Sequence, residues 1–182
     1  MASQGAPPET AKSAAERATD LVTIFAGLTA EERKKLAAKA KSSHQDEAAV
    51  LVEPGAVLHS LFIIGSGVVS FTRDASEGEI ELLRLGPGDH FGEIGMLTGA
   101  GALAKLKALT PVTLYELAKE DLVPVLEARP EVSQELCRAL AIRQAAGQLV
   151  ASPEIDQGVS PSRVASWFSD RLHRMFDLAG AE

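Results

Sequence analysis

The sequence predicts an α+β fold: a compact antiparallel sandwich or barrel, wound as a roll of hairpins, with helices before and after it. Three observations carry this expectation. Between Ala48 and Leu117, short runs of β-forming residues alternate with turns built from Gly, Pro and Asp. These runs stand too close together for the crossover helices that a parallel sheet needs. On either side of the stretch the apolar period lengthens to three or four residues, and capping residues mark the helix starts.

Residues 1 to about 19, MASQGAPPETAKSAAERAT, mix Pro, Gly, Ser and Ala without an apolar period and read as a flexible lead-in that gives way to helix near Glu16. Thr29 and Glu32 form a capping box, in which the hydroxyl accepts from the Glu32 amide and the carboxylate reaches back; the helix they start should run to about Lys41. Six strands are then expected, at Ala49 to Val52, Leu61 to Ile64, Val68 to Arg73, Ile80 to Leu85, Leu103 to Leu109 and Val112 to Leu117. Glu53-Pro54-Gly55, Gly65-Ser66-Gly67, Ser76-Glu77-Gly78 and Gly86-Pro87-Gly88-Asp89 supply the turns. Helices follow over Lys119 to about Arg129 and from Pro130 to about Ala151, the second with Val132, Leu136, Ala139 and Leu140 on one stripe. Ser152-Pro153 breaks it. The last segment places Val164, Trp167, Phe168, Leu172, Met175 and Phe176 on one helical face suited to packing on the domain or pairing in a homo-oligomer. The expected division is a lead-in over 1–19, a domain over 20–151, and a linker with an amphipathic helix over 152–182.

Several function classes are disfavoured by composition. With 46% hydrophobic residues, 182 residues can bury a sizeable core. The net charge of -7 opposes phosphate backbones, and no basic recognition helix appears, so nucleic acid is not an expected partner. No apolar run approaches the roughly 20 residues of a membrane span, and the N-terminus lacks a signal-peptide core; a soluble, cytoplasmic chain is expected. Cys137, the single cysteine, sits in a helical pattern as a small buried hydrophobe. His44, His59, His90 and His173 are too scattered for a metal motif, and Gly65-Ser66-Gly67 lacks the spacing of a nucleophile elbow. The reading is therefore a non-enzyme, with no catalytic residues, metal or cofactor.

The informative piece is Gly88-Asp89-His90-Phe91-Gly92-Glu93-Ile94-Gly95-Met96-Leu97. A glycine turn leads to Gly92, whose missing side chain would let a ligand approach the backbone. Glu93, Ile94 and Gly95 then begin a short helical turn whose amides attract phosphate. Glu93 itself would accept from sugar hydroxyls. Anion site and ribose acceptor together outline a cyclic nucleotide; the alternative is a tight turn with Glu93 as an exposed cap.

The order Pro54-Gly55, LFIIGSGVVSF, LRLGPGDHFGEIGMLTG, ALTPVTLYEL and two helices resembles the cyclic-nucleotide-binding domain family over about residues 25 to 150. Within it, LHSLFIIGSGVV and the run through RQAAGQLVA are most similar to C-terminal modules of bacterial small-conductance mechanosensitive-type channels. The resemblance implies an eight-stranded antiparallel β-roll of the double-stranded jelly-roll type, flanked by N- and C-terminal helices. It also implies a ligand site of Gly92, Glu93, Ile94, Gly95, Ala102 and Leu103 for cyclic AMP or cyclic GMP, with Glu93 facing the ribose. The family's phosphate-pairing arginine falls on Ala102 and the small residue beside it on Leu103. If the strand keeps period two, Ala102, Ala104, Leu106 and Ala108 face inward, and Lys105 and Lys107 face solvent. The implied function is a regulatory sensor that binds cyclic nucleotide weakly and passes occupancy to an attached or partner protein such as a membrane channel. The alternative is a ligand-free cassette serving as an interaction or dimerisation scaffold.

Overall fold

The computed structural model describes residues 12–76 and 78–151. The first eleven residues of the lead-in, Glu77 of one turn, His173 and the apolar face expected over 152–182 lie outside them. Two helices open the described chain: α1 (Ala14–Leu21) and, after a single 3-10 turn at Thr23–Phe25, α2 (Ala30–Lys39). Both start on capping boxes. Ser13 and Glu16 close one; in the other the Glu32 amide donates to Thr29 Oγ1 at 3.2 Å while the Thr29 amide donates to the Glu32 carboxylate at 2.8 Å.

Eight strands follow among the described residues: β1 (Lys41–Gln45), β2 (Val50–Val52), β3 (Ser60–Ser66), β4 (Val69–Ala75), β5 (Gly78–Leu85), β6 (His90–Phe91), β7 (Lys105–Ala108) and β8 (Val112–Ala118). Between β6 and β7 lies the short helix α3 (Glu93–Thr98); α4 (Lys119–Ala128) and α5 (Pro130–Ala151) complete the order. Here the expected β-roll is overturned. The strands form two separate antiparallel sheets, ordered β1-β8-β3-β6 and β2-β7-β4-β5, and neither closes into a roll. Closure needs ladder hydrogen bonds from edge to edge, and each sheet instead ends on an outer strand with one hydrogen-bonded neighbour. The α+β class with two sheets and flanking helices stands.

Alternation along β3 explains how the layers stack. Leu61 and Ile63 join a cluster with Phe25, Leu36, Leu122, Leu126 and Leu136 from the helices, whereas Ile64 and Phe62 join Val69, Leu85 and Leu106 of the other sheet. β8 divides likewise: Tyr115 and Leu117 meet the helices, Val112 and Leu114 the second sheet. The first sheet is thus the middle layer, apolar on both faces, which is why LFII is a continuous hydrophobic run rather than an alternating one. Cys137 belongs to the helical cluster, and burial pushes its thiol up to about 12.

Candidate functional site

The segment leading to α3 is held by β3. In the Gly86–Asp89 turn, Gly88 N–H donates to the Ile64 carbonyl and Ile64 N–H to the Asp89 carbonyl, both at 2.9 Å, and the Asp89 carboxylate accepts from Gly86 N–H. Phe91 then pairs with Phe62 across the β3–β6 ladder, their rings stacked 5.1 Å apart. This fixes the chain one residue before Gly92.

Gly92 adopts φ +94° and serves as the N-cap of α3. The space left by its absent side chain is filled by the protein itself: a Cβ would lie 2.4 Å from the Ser60 carbonyl oxygen and 3.1 Å from the Phe62 ring. Gly95 answers the same need, since its Cβ would stand 2.6 Å from the Leu58 carbonyl oxygen. The two glycines therefore let α3 settle on the backbone of residues 58–60. Leu58 and Ser60 escaped the sequence reading because nothing local to them signals that a helix far along the chain will rest there.

Glu93 opens α3 at 2% exposure, so it is not an exposed cap. Burying a carboxylate is costly, and its place in the first turn of a helix offsets part of that cost. Ile94 is partly buried against the helical cluster, and Met96 and Leu97 belong to it. The helix closes at Gly99, whose N–H donates to the Gly95 carbonyl at 2.8 Å, while Thr98 Oγ1 donates to the Ile94 carbonyl.

Beyond α3 the chain returns past the 53–56 turn. Gly55 N–H donates to the Ala102 carbonyl at 2.7 Å and Ala102 N–H to the Ala56 carbonyl at 2.8 Å, so both backbone groups of Ala102 are engaged and its methyl packs on the inter-sheet cluster. Leu103 is 75% exposed. Ala104, Leu106 and Ala108 are buried and the alternating Lys105 and Lys107 are not, as period two requires. Lys105 Nζ meets Glu79 at 3.0 Å and Asp74 at 3.9 Å, across the β4–β5 hairpin. The six expected site residues thus lie on one continuous stretch, with Gly92 to Gly95 seated on residues 58–60 and Ala102 bonded to the neighbouring 55–56 turn.

Among the described residues no three His, Cys, Asp or Glu side chains gather as a metal site, and no helix is long and apolar enough to cross a membrane.

Comparison with known proteins places this geometry. Residues 45–129 match the family described as the cyclic nucleotide-binding domain. An uncharacterized NTE family protein of Mycobacterium bovis is 29% identical over 120 residues, which span 66% of this chain and 20% of that protein. The human voltage-gated inwardly rectifying potassium channel KCNH6 is 32% identical over 126 residues, spanning 66% of this chain and 13% of the channel. The chain therefore covers a fifth or less of these curated relatives. Among solved structures, the Thermus thermophilus catabolite activator protein is similar with a TM-score of 0.61 and 21% identity, covering 85% of this chain and 86% of that one. The regulatory subunit of a cAMP-independent protein kinase A from Trypanosoma cruzi, bound to guanosine, is similar with a TM-score of 0.58 and 21% identity, covering 75% and 50%. No link to mechanosensitive channels emerges from these likenesses.

Proposed function

We propose, from the premise that residues 45–129 carry a cyclic-nucleotide-binding-like regulatory domain, that this chain is a sensor whose ligand site lies where α3 meets the 53–60 loop. Gly92, Glu93, Ile94 and Gly95 form its floor, and Ala102 and Leu103 its rim. The observation that carries this reading is the burial of the Glu93 carboxyl at the head of α3, in the part of the chain that matches the family. A carboxylate at that position suits an acceptor for ribose hydroxyls. Cyclic AMP or cyclic GMP is held weakly, because the position that the family resemblance gives to a phosphate-pairing arginine is Ala102. One lost charged hydrogen bond, about 1.5 to 3 kcal/mol, weakens binding roughly tenfold to somewhat over a hundredfold. The guanosine in the trypanosomal regulatory subunit supports a nucleoside-containing ligand for this fold.

Occupancy is passed on through packing. Met96 and Leu97 of α3 share one cluster with Val132 and Leu136 of α5, so a shift of α3 on ligand entry repacks the helix that leaves the domain. An attached domain or a partner protein, a membrane channel among the candidates, reads that shift. Calorimetric titration of the full chain with cyclic AMP and cyclic GMP tests the reading. Dissociation constants from high micromolar to millimolar are expected. Binding at low micromolar or tighter would show that Ala102 costs less than argued, and no binding of any nucleoside-containing ligand would favour the scaffold alternative.

A further inference from the structure

Strand β4 turns a cation toward the gap between the sheets. Val69 and Phe71 pack in the inter-sheet cluster, so period two sends Arg73 to the same face, where it is half-buried. The β4–β7 ladder pairs Phe71 with Leu106 and Thr72 with Lys105, so its next step brings Arg73 to Ala104, two residues from Ala102. Across β5 it pairs with Ile80, which is 44% exposed; here the apolar cover ends and the gap opens to water. No carboxylate holds Arg73: among the described residues it makes no ion pair and no side-chain hydrogen bond. The acids of its own hairpin are engaged on the opposite face, Glu79 and Asp74 with Lys105 at 3.0 and 3.9 Å, and Glu81 with Arg84 at 2.7 Å and with the Ser70 hydroxyl at 2.8 Å. Glu53 of the neighbouring turn also acts on Lys105. A guanidinium drawn partly out of water without a counter-charge is a cost that an anion entering the gap would offset.

We infer that Arg73 supplies the cation for the phosphate of a bound nucleotide, so that the charged contact Ala102 cannot make is taken over in part from the next strand; the inference rests on the sensor reading above and names a further residue of the same site. A guanidinium presents a fork of N–H donors that matches phosphate oxygens. A nucleoside without phosphate brings it no charge to hold.

The test titrates the full chain and its Arg73→Leu variant with adenosine, guanosine, cyclic AMP and cyclic GMP in one buffer, followed by protein magnetic resonance, whose spectra also report the fold. Arg73→Leu is expected to weaken the cyclic nucleotide about tenfold or more, the worth of one charged hydrogen bond, and to leave the matching nucleoside within about twofold. Arg73→Gln repeats the comparison if Arg73→Leu does not fold. An unchanged ratio of the two affinities in a folded variant, equal weakening of both ligands, or an unaltered chain that binds the nucleoside and not its cyclic phosphate overturns this inference and leaves the sensor reading in place. Absence of binding by both classes to the unaltered chain at millimolar concentration overturns both.

Discussion

At Gly92 two constraints meet, a left-handed backbone and a neighbouring carbonyl. An L side chain at φ +94° costs about 1–2 kcal/mol by itself, and contact with the Ser60 oxygen at 2.4 Å adds to it. Gly99 offers a control, for its φ is +71° but open space surrounds the place a Cβ would take. Gly92→Ala is therefore expected to destabilise the fold by about 2 kcal/mol or more and Gly99→Ala by about 1 kcal/mol, read from chemical unfolding midpoints. Equal losses at the two sites would remove the packing role assigned to Gly92. That Gly92 mattered was legible in the sequence, from its place between a turn and a short helical start. Its packing against the Ser60 oxygen was not, because that atom belongs to β3 and a pairing between distant segments leaves no local mark.

Among the elements, α2 and the α4–α5 junction are tied by one ion pair. Arg129, between the two helices, reaches Glu32 Oε1 with its Nε at 3.0 Å and Nη2 at 2.8 Å. The Glu32 carboxyl is held down at about 2, first by the Thr29 amide, then by the Thr29 hydroxyl and then by Arg129. A depressed carboxylate stabilises the folded state fully above its ordinary value near 4.5, and that contribution fades as pH falls through about 2. Glu32→Gln should accordingly melt below the parent chain at pH 7, with the gap shrinking from about pH 4.5 downward; a gap constant over that range in thermal unfolding would contradict the assignment. The capping half of this arrangement was readable from Thr29 and Glu32 three residues apart, whereas the Arg129 half joins distant helices and shows only in three dimensions. Strand β1 was missed for another reason. Its sequence, Lys41-Ser42-Ser43-His44-Gln45, has no apolar alternation, since it pairs with β8 at a sheet edge and buries almost nothing. β6 is two residues long and gives no period at all.

Over the whole molecule, the three layers share their middle sheet. Leu122 lies in the helical cluster and Leu106 between the sheets, yet β3 and β8 contribute to both clusters, so neither can melt without exposing the other. Leu106→Ala and Leu122→Ala are each expected to cost about 2–5 kcal/mol and to move one common calorimetric transition. A second transition in either variant would show that the layers unfold separately. The stretch of hairpins was legible as an α+β chain whose strands form a sandwich or a barrel, but not the choice of two open sheets over a closed roll, because sequence shows where strands occur and not which edges fail to meet.

Sheets that do not close leave four outer strands, and each is made a poor template for a foreign strand. β1 is polar throughout and β6 spans only two residues. β2 has three residues and an irregular register against β7, and the long β5 carries Glu79, Glu81 and Arg84. Short length, broken register and charge all discourage edge-to-edge addition. The open architecture therefore keeps its resistance to aggregation in the sequence of its edges, where a barrel would have it from closure.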